Sequence, residues 1–489
     1  MEPAKKILIL LIITALPALL FSCAGDNEGT GGLSGENGAA AVIPPDLPEK
    51  NFNGYEFKVY QRGPEADEWS EVCIYAEEEN GEPINDAVYR RNRIIENRYN
   101  ITIVPVNASG GIYDGPIKNG FENSVLAGDN AFDIAMSGVY DSSLLARSGY
   151  LADLCSVPHI DLERQWWDIP VNETLKITGK LYFGISCMGV NDKDDSFCIL
   201  FNKKIARDLE VENPYQLVRD NKWTFDKFIE LGKRAATDLN GDGAMDHEDR
   251  YGFIGLDSAS WCLFTASGER MARMGGDGLP YFTMNNERAV QAYGTIYDIM
   301  TQDNFMFRDF SRNTGSRHDY IYRLLSENHA LFAGAAMTVV QKARAMEEDF
   351  GMLPFPKFDS NQEKYYTIVG LWGPTAVTVP VTNTELERTG IITEAMVAES
   401  INTVFTAYYD INLVIKGLRD EDSKEMLDII MAGRNYDVGM LYNWGGIRDI
   451  IMESINAGNN SFIAAYEKRE NAAVIEMEKT IEEFNRIID

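Results

Sequence analysis

Histidine and cysteine are scarce in this chain of 489 residues, with four of one and six of the other, and the catalytic signatures built on them are missing. His159, His247, His318 and His329 have no metal-ligand spacing with one another. The sequence contains no GxSxG, HExxH, P-loop or GxGxxG, which excludes the common hydrolase, zinc-protease and nucleotide-binding templates and leaves no organic cofactor to expect. Cys73, Cys155, Cys187, Cys198 and Cys262 are widely spaced and include no CxxC, so they form neither a disulfide framework nor a zinc site and read as mostly buried thiols. Basic residues are few as well, 45 against 75 acidic, and the net charge of -30 repels phosphate backbones, so no nucleic-acid partner is expected. Internal repeats and coiled-coil heptads are absent.

What is present begins at the N-terminus. Lys5 and Lys6 precede a 15-residue apolar run, Ile7 to Phe21. That run is short of the ~20 residues needed to span a bilayer, and it leads into Gly, Ser, Asn and Glu with no basic flank, so residues 1–22 read as a signal peptide. Leu20-Phe21-Ser22-Cys23 resembles the bacterial lipobox, which makes Cys23 the expected lipidation site and places the chain outside the cytoplasm, anchored to the cell membrane. Residues 23–50, rich in Gly, Ser, Asn and Pro, cannot bury enough apolar surface to fold and read as a flexible tether.

The mature body exceeds the roughly 250–300 residues that one core fills, so two lobes are expected. Tyr55-Glu56-Phe57-Lys58-Val59-Tyr60 alternates as a strand, and Ile84, Val88, Ile95 and Tyr99 recur at near-helical spacing. Ile101–Val104 and Phe132–Met136 read as further strands, the second leading into a helix through Leu144, Leu145 and Arg147. Strands alternating with helices predict an α/β fold with parallel sheets, whose ligands sit beyond the carboxyl ends of strands, which makes Tyr140 and Asp141 candidates. Two strand-like runs, Lys180–Gly184 and Phe197–Phe201, flank a polar turn, Asn191–Ser196. Together with Thr367–Pro374 they suggest hinge crossings between lobe one (51–190 and 367–425) and lobe two (191–366 and 426–489).

Asp238-Leu239-Asn240-Gly241-Asp242-Gly243 matches the start of a calcium loop, with Ala244, Asp246 and Asp249 completing an oxygen set suited to one structural Ca2+. Asp249 stands where an EF-hand has glutamate, and an Asp-Gly surface turn reads from the same residues. Of the seven tryptophans, Trp261, Trp372 and Trp444 sit beside polar residues or at a crossing, as rings that stack on sugar faces do; packing in the core is the alternative for each. Trp223 before Thr224-Phe225-Asp226 reads as core, with Thr224 capping a helix.

Several stretches together resemble the extracellular solute-binding proteins of carbohydrate ABC importers, similar in layout to maltose-binding protein. They are Ile84–Asn92, Phe132-Asp133-Ile134 with Ser148–Leu154, Trp223–Phe228, and Phe332–Met337 followed by Phe350–Pro356. The resemblance implies a two-lobe periplasmic-binding-protein-like fold of type II that closes on a small solute without a chemical step and passes it to the importer's transmembrane permease subunits. It implies ligand positions at Trp69, Tyr140, Asp141, Asp194, Asp195, Ser196, Trp261, Trp372 and Trp444. Ser137 stands where maltose-binding protein has a tryptophan, so the ligand geometry need not be that of maltose. A surface-anchored glycan-degrading enzyme and a calcium-dependent adhesion protein are the alternatives. The enzyme requires a carboxylic acid of raised pKa in a cleft.

Overall fold

The alternating residues that open the body form a strand in the computed structural model, with Phe57 and Val59 fully buried. The structure describes residues 44–302, 304–309, 316–343, 345–409, 418 and 420–486. The expected signal peptide, Cys23 and most of the expected tether lie outside the described residues. Strands of the described residues are β1 (Tyr55–Arg62), β2 (Ile101–Ala108), β3 (Ile134–Gly138), β4 (Phe197–Asn202), β5 (Tyr251–Ile254), β6 (Ala272–Met274) and β7 (Pro280–Phe282), then β8 (Met306–Phe307), β9 (Ala330–Ala336), β10 (Phe350–Leu353), β11 (Thr367–Ile368), β12 (Thr375–Thr378) and β13 (Arg434–Asn435). No helix among them is long and apolar enough to cross a membrane.

Two sheets organise the chain. In the first, ordered β12-β3-β1-β2, β1 runs parallel to β2 and β3 while β12 returns antiparallel beside β3. In the second, ordered β10-β4-β9-β5-β8, β5 is parallel to β8 and β9, and β4 is antiparallel to β9 and β10. The helix Pro83–Tyr99 covers the first sheet and is tied to the helix Leu386–Ser400 by Arg91 Nη1 donating to Ser400 Oγ at 3.1 Å. In the second sheet the small residues of β9 make room for an aromatic cluster, with Phe332 5.4 Å from Trp223 and 5.2 Å from Phe228 between ring centroids. Thr224 caps the helix Phe225–Ala235, accepting from Lys227 N, and Trp223 is fully buried, both as the sequence implies. Cys73, Cys187, Cys198 and Cys262 are buried free thiols; Cys155 is free and exposed.

Three sequence expectations are corrected. Lys180–Gly184 is not a strand but an irregular segment with isolated bridges, Ile177 to Lys180 and Gly184 to Val377. Its residues turn toward the terminal helix Phe462–Arg486, with Tyr182 4.7 Å edge-on to Phe484 and Lys180 Nζ donating to Phe484 O at 2.7 Å. Of Thr367–Pro374 only Thr367–Ile368 is strand; beyond it residues 370 and 373 pass so close to Asp195 and Trp69 that only glycine fits.

The third correction concerns Asn191–Ser196 at the first crossing, read from the sequence as a polar turn: Asn191–Asp194 is a short turn of helix, and all six residues but the half-buried Asp194 are buried. Partners of Asp192, Lys193 and Asp194 offset part of the cost of that burial. Lys193 Nζ reaches Asp192 Oδ1 at 2.8 Å and donates to Ser186 O at 3.0 Å and Gly189 O at 3.1 Å. Arg434 bridges Asp192, at 2.7 Å, and Asp168. Asp194 Oδ1 accepts from Tyr408 Oη at 2.8 Å and Gln341 Nε2 at 3.1 Å.

Beyond β13 the chain touches both halves. Asp437 accepts from Met271 N at 2.5 Å and Ala272 N at 3.2 Å beside β6, while the helix Val438–Tyr442 that it caps packs on the helix Val139–Arg147 after β3.

Two predictions follow from these buried carboxylates. Glu394 accepts from the indoles of Trp166 at 2.8 Å and Trp167 at 3.0 Å, both rings being buried. Glu394→Ala strands two N–H donors in the core, so urea unfolding should show a loss of about 2–4 kcal/mol; a loss below about 1 kcal/mol would remove this bond pair from the account of the fold. Burial also holds Asp194, Asp195 and Glu394 up at about 7, above their ordinary 3.8 and 4.5. A raised carboxyl pKa means that the folded protein binds the extra proton between its unfolded and folded values. Stability should therefore rise as pH falls from 8 through 7 toward 5. Glu68, bonded by His318 and held down at about 2, acts in the opposite sense, its contribution being lost below 4.5. The melting temperature should peak at about pH 5, and Asp195→Asn should raise it at pH 8 but not at pH 5. A melting temperature that climbs steadily from pH 5 to 8 contradicts this.

Candidate functional site

The carboxyl ends of the parallel strands of both sheets open onto one cavity of about 1000 Å3. After β1 the chain turns through Pro64–Trp69 and brings Glu65, Glu68 and Trp69 to its wall. After β2 it places Ile112 and Tyr113 there, and after β5 it places Asp257, Trp261 and Cys262. Arg317, His318 and Lys342 come from helices of the second half, Asp195 and Trp372 from the two crossings, and Met452 from the C-terminal segment.

Aromatic rings dominate one wall. Trp372 lies 6.4 Å from Trp261 with planes 25° apart, 5.7 Å from Tyr140 and 6.3 Å from Tyr113, which is 80% exposed. Across the mouth Trp69 meets His318 edge-on at 6.3 Å. Beside them Glu68 links the halves, with His318 Nδ1 3.3 Å from its Oε1 and Lys342 Nζ 3.2 Å from its Oε2. Lys342 also pairs with Asp319 at 2.6 Å.

The floor is made by the crossings. Asp195 O accepts from Gly370 N at 2.8 Å, and its Oδ2 accepts from Gly373 N at 3.2 Å. A Cβ at Gly370 would sit 1.9 Å from Asp195 Oδ2, and one at Gly373 would sit 2.5 Å from the Trp69 ring, so glycine is required at both. Arg62, at the end of β1, donates to Gly373 O at 2.6 Å and to Trp372 O, fixing the stem of the Trp372 ring. Asp141 faces Arg62, but burial outweighs that attraction and pushes its pKa up.

Of the sequence candidates, Trp69, Asp195, Trp261 and Trp372 line the cavity. Tyr140 stands behind Trp372, and Asp141 faces Arg62. Asp194 is turned toward Tyr408 and Gln341, and Ser196 Oγ donates to Asp192 O at 2.9 Å inside the joint. Trp444 is buried, donates to Thr480 Oγ1 at 2.9 Å and stacks on Tyr442 at 5.1 Å. Sequence reasoning missed Tyr113, Glu68, His318 and Lys342. The post-strand rule that found Tyr140 also reaches Tyr113; the other three meet only in space.

The Asp-rich loop lies apart from the cavity. Asp238 accepts from Gly241 N at 2.6 Å and Gly243 N at 2.9 Å, Asn240 from Asp242 N at 2.9 Å, and Asp242 from Ala244 N at 2.8 Å. Asp246 accepts from Glu248 N at 2.9 Å, and buried Asp249 closes the loop by accepting from Leu239 N at 2.8 Å and Asp246 N at 2.9 Å. Among the described residues no three His, Cys, Asp or Glu side chains converge as metal ligands.

No family model and no curated protein matches the chain. Solved structures do. The cyclo/maltodextrin-binding protein complexed with maltotetraose is 13% identical with a TM-score of 0.55, over 87% of this chain and 97% of its own. RafE from Streptococcus pneumoniae, in its apo form, is 12% identical with a TM-score of 0.52, over 89% and 98%. The GacH receptor of Streptomyces glaucescens, solved unliganded and with acarbose, is 13% identical with a TM-score of 0.51, over 89% and 98%. At these identities the likeness is one of fold: the chain has the two-lobe α/β fold of these binding proteins.

Proposed function

We propose that the protein is a lipid-anchored, extracytoplasmic solute-binding protein that captures a sugar or oligosaccharide between its lobes and delivers it to the permease subunits of an ABC importer. The cavity carries this reading. Its Trp261, Trp372, Tyr113 and Trp69 rings offer faces for the apolar sides of pyranose rings, while Glu65, Asp257, Arg317 and backbone groups of the crossing meet hydroxyls. Two of the structures sharing the fold hold maltotetraose and acarbose. Lobe closure over a ligand needs no chemical step. The lipobox-like Cys23 accounts for the anchor, which keeps the binder beside a membrane permease.

A second reading, a surface-anchored glycan-degrading enzyme, draws on one observation: Asp195 lines the cavity with its carboxyl held up at about 7 by burial. Such a group suits a general acid. One experiment separates the two. The protein from residue 51 onward is melted with a panel of mono- and oligosaccharides, and each sugar is recovered and analysed by chromatography. Binding predicts one class that stabilises by roughly 2.7 kcal/mol at about 100 times its dissociation constant and is recovered intact. Cleaved sugar establishes the enzyme instead. Trp261→Ala and Trp372→Ala should each weaken binding of the stabilising sugar by about 1–3 kcal/mol, and unchanged affinity in both removes the aromatic wall from the site.

For the Asp-rich loop the proposal is one structural Ca2+, held by oxygens of Asp238, Asn240, Asp242, Ala244, Asp246 and Asp249. All are the hard donors that calcium takes, and Gly241 and Gly243, at φ 77° and 85°, allow the tight wrap. Chelator should lower the melting temperature, calcium should restore it, and Asp238→Ala should abolish the difference. A melting temperature indifferent to chelator leaves the loop a surface turn.

A further inference from the structure

Arg448 lies behind the aromatic wall and is not among the residues lining the cavity. It is 8% exposed, and its guanidinium carbon stands 5.3 Å from the Trp372 ring centroid, 5.4 Å from that of Tyr140 and 5.9 Å from that of Trp261. One cation is thus shared by three rings of separate origin: Tyr140 from the helix after β3, Trp261 from the helix after β5, and Trp372 from a crossing. Among the described residues Asp449, with its Oδ1 3.2 Å from Nε, supplies the carboxylate, and Nη1 makes a 3.4 Å contact to Met440 O. The backbone holds the residue in place. Arg448 N donates to Asn443 Oδ1 at 2.9 Å, and Trp261 Nε1 donates to Arg448 O at 3.2 Å.

A guanidinium over aromatic faces is attracted to the ring quadrupoles, and more strongly when water is excluded, as it is here. Its planar shape also suits contact with several rings, which a lysine ammonium does not reproduce. We propose that Arg448 is a positioning residue for the cavity: seated among Tyr140, Trp261 and Trp372, it sets the orientation of the two tryptophan faces before any ligand arrives. Preorganisation of this kind lowers the ordering cost of binding, so its loss should appear mainly as faster dissociation. The proposal rests on the cavity being the ligand site, but its first test requires no ligand.

Trp166, Trp167, Trp223 and Trp444 are each less than 2% exposed, so in a Trp69→Phe background the tryptophan fluorescence that acrylamide quenches comes from Trp261 and Trp372. In that background R448M, which keeps the length and loses the cation, should at least double the quenching constant and shift emission to the red, with far-UV circular dichroism unchanged. R448K should fall between the two. Should R448M not fold, R448Q takes its place in the comparison. A folded R448M or R448Q with wild-type quenching and emission overturns the proposal, since a residue that merely packs would lower the melting temperature and leave the rings as they were. Maltotetraose serves as the probe glycan in a second measurement. If the wild type binds it, R448M should dissociate at least tenfold faster, and an unchanged dissociation rate also overturns the proposal. If the wild type does not bind it, the sugar reading is what suffers, and the quenching result still decides the role of Arg448.

Discussion

The structure depends on keeping Asp192, Lys193 and Asp195, with the half-buried Asp194 between them, out of water at the joint between its lobes. An unpaired ion in such a place costs several kcal/mol, so the joint depends on the partners that its charged groups find. The partners are far apart in sequence: Ser186 and Gly189 just before the turn, Gln341 from the second half, Gly373 from the second crossing, and Tyr408 and Arg434 from beyond it. No single lobe contains them all. The joint therefore forms only when both halves and the crossings are in register, and that register brings the carboxyl ends of two separate sheets to one cavity.

The aromatic wall is a direct extension of this joint. Asp195 requires glycine at 370 and 373, the bend between them projects Trp372, and Arg62 grips the carbonyls of Trp372 and Gly373 from the end of β1. Trp69 packs where a side chain at 373 would stand. Any change in the angle between the lobes accordingly moves the rings that would contact a ligand, and a ligand that prefers one ring arrangement favours one lobe angle. Were a ligand to seat on this wall, its binding and the closure of the lobes would be coupled through the same few residues, as in a hinged clamp. The C-terminal segment adds a second tie, since Asp437 holds the β6 backbone while its own helix leans on the opposite lobe.

What was legible in the sequence was local. β1, the helix Pro83–Tyr99, the Thr224 cap and the buried Trp223 declare themselves through periodicity and capping chemistry within a few residues. The joint did not, because Asn191–Ser196 has the composition of a solvated turn, and the partners that allow its burial lie as far as 242 residues away at Arg434. Trp372 and Trp444 illustrate the same limit. Both have glycine after them, yet one faces the cavity while the other is held in the core by Thr480 on the terminal helix. Nothing near either tryptophan distinguishes them. Glu68, His318 and Lys342 were likewise invisible, since each is an ordinary surface residue until the lobes bring them together.

The raised carboxyl of Asp195 is the one feature that pulls toward catalysis, and its surroundings explain it without catalysis. Asp194 and Glu394 are held at about the same value by the same cause, burial. Neither of those two lines the cavity. Glu394 serves the indoles of Trp166 and Trp167, and Asp194 serves Tyr408 and Gln341. Three carboxyls in three settings thus rise together because water is excluded from each, and only one of them touches the cavity. A general acid must also present its proton to a glycosidic oxygen, whereas Asp195 is 7% exposed and lies under the backbone of Gly370 and Gly373, with Oδ2 engaged by Gly373 N. Its elevated pKa follows from the dryness of the joint, the same cause that raises Asp194 and Glu394 away from the cavity.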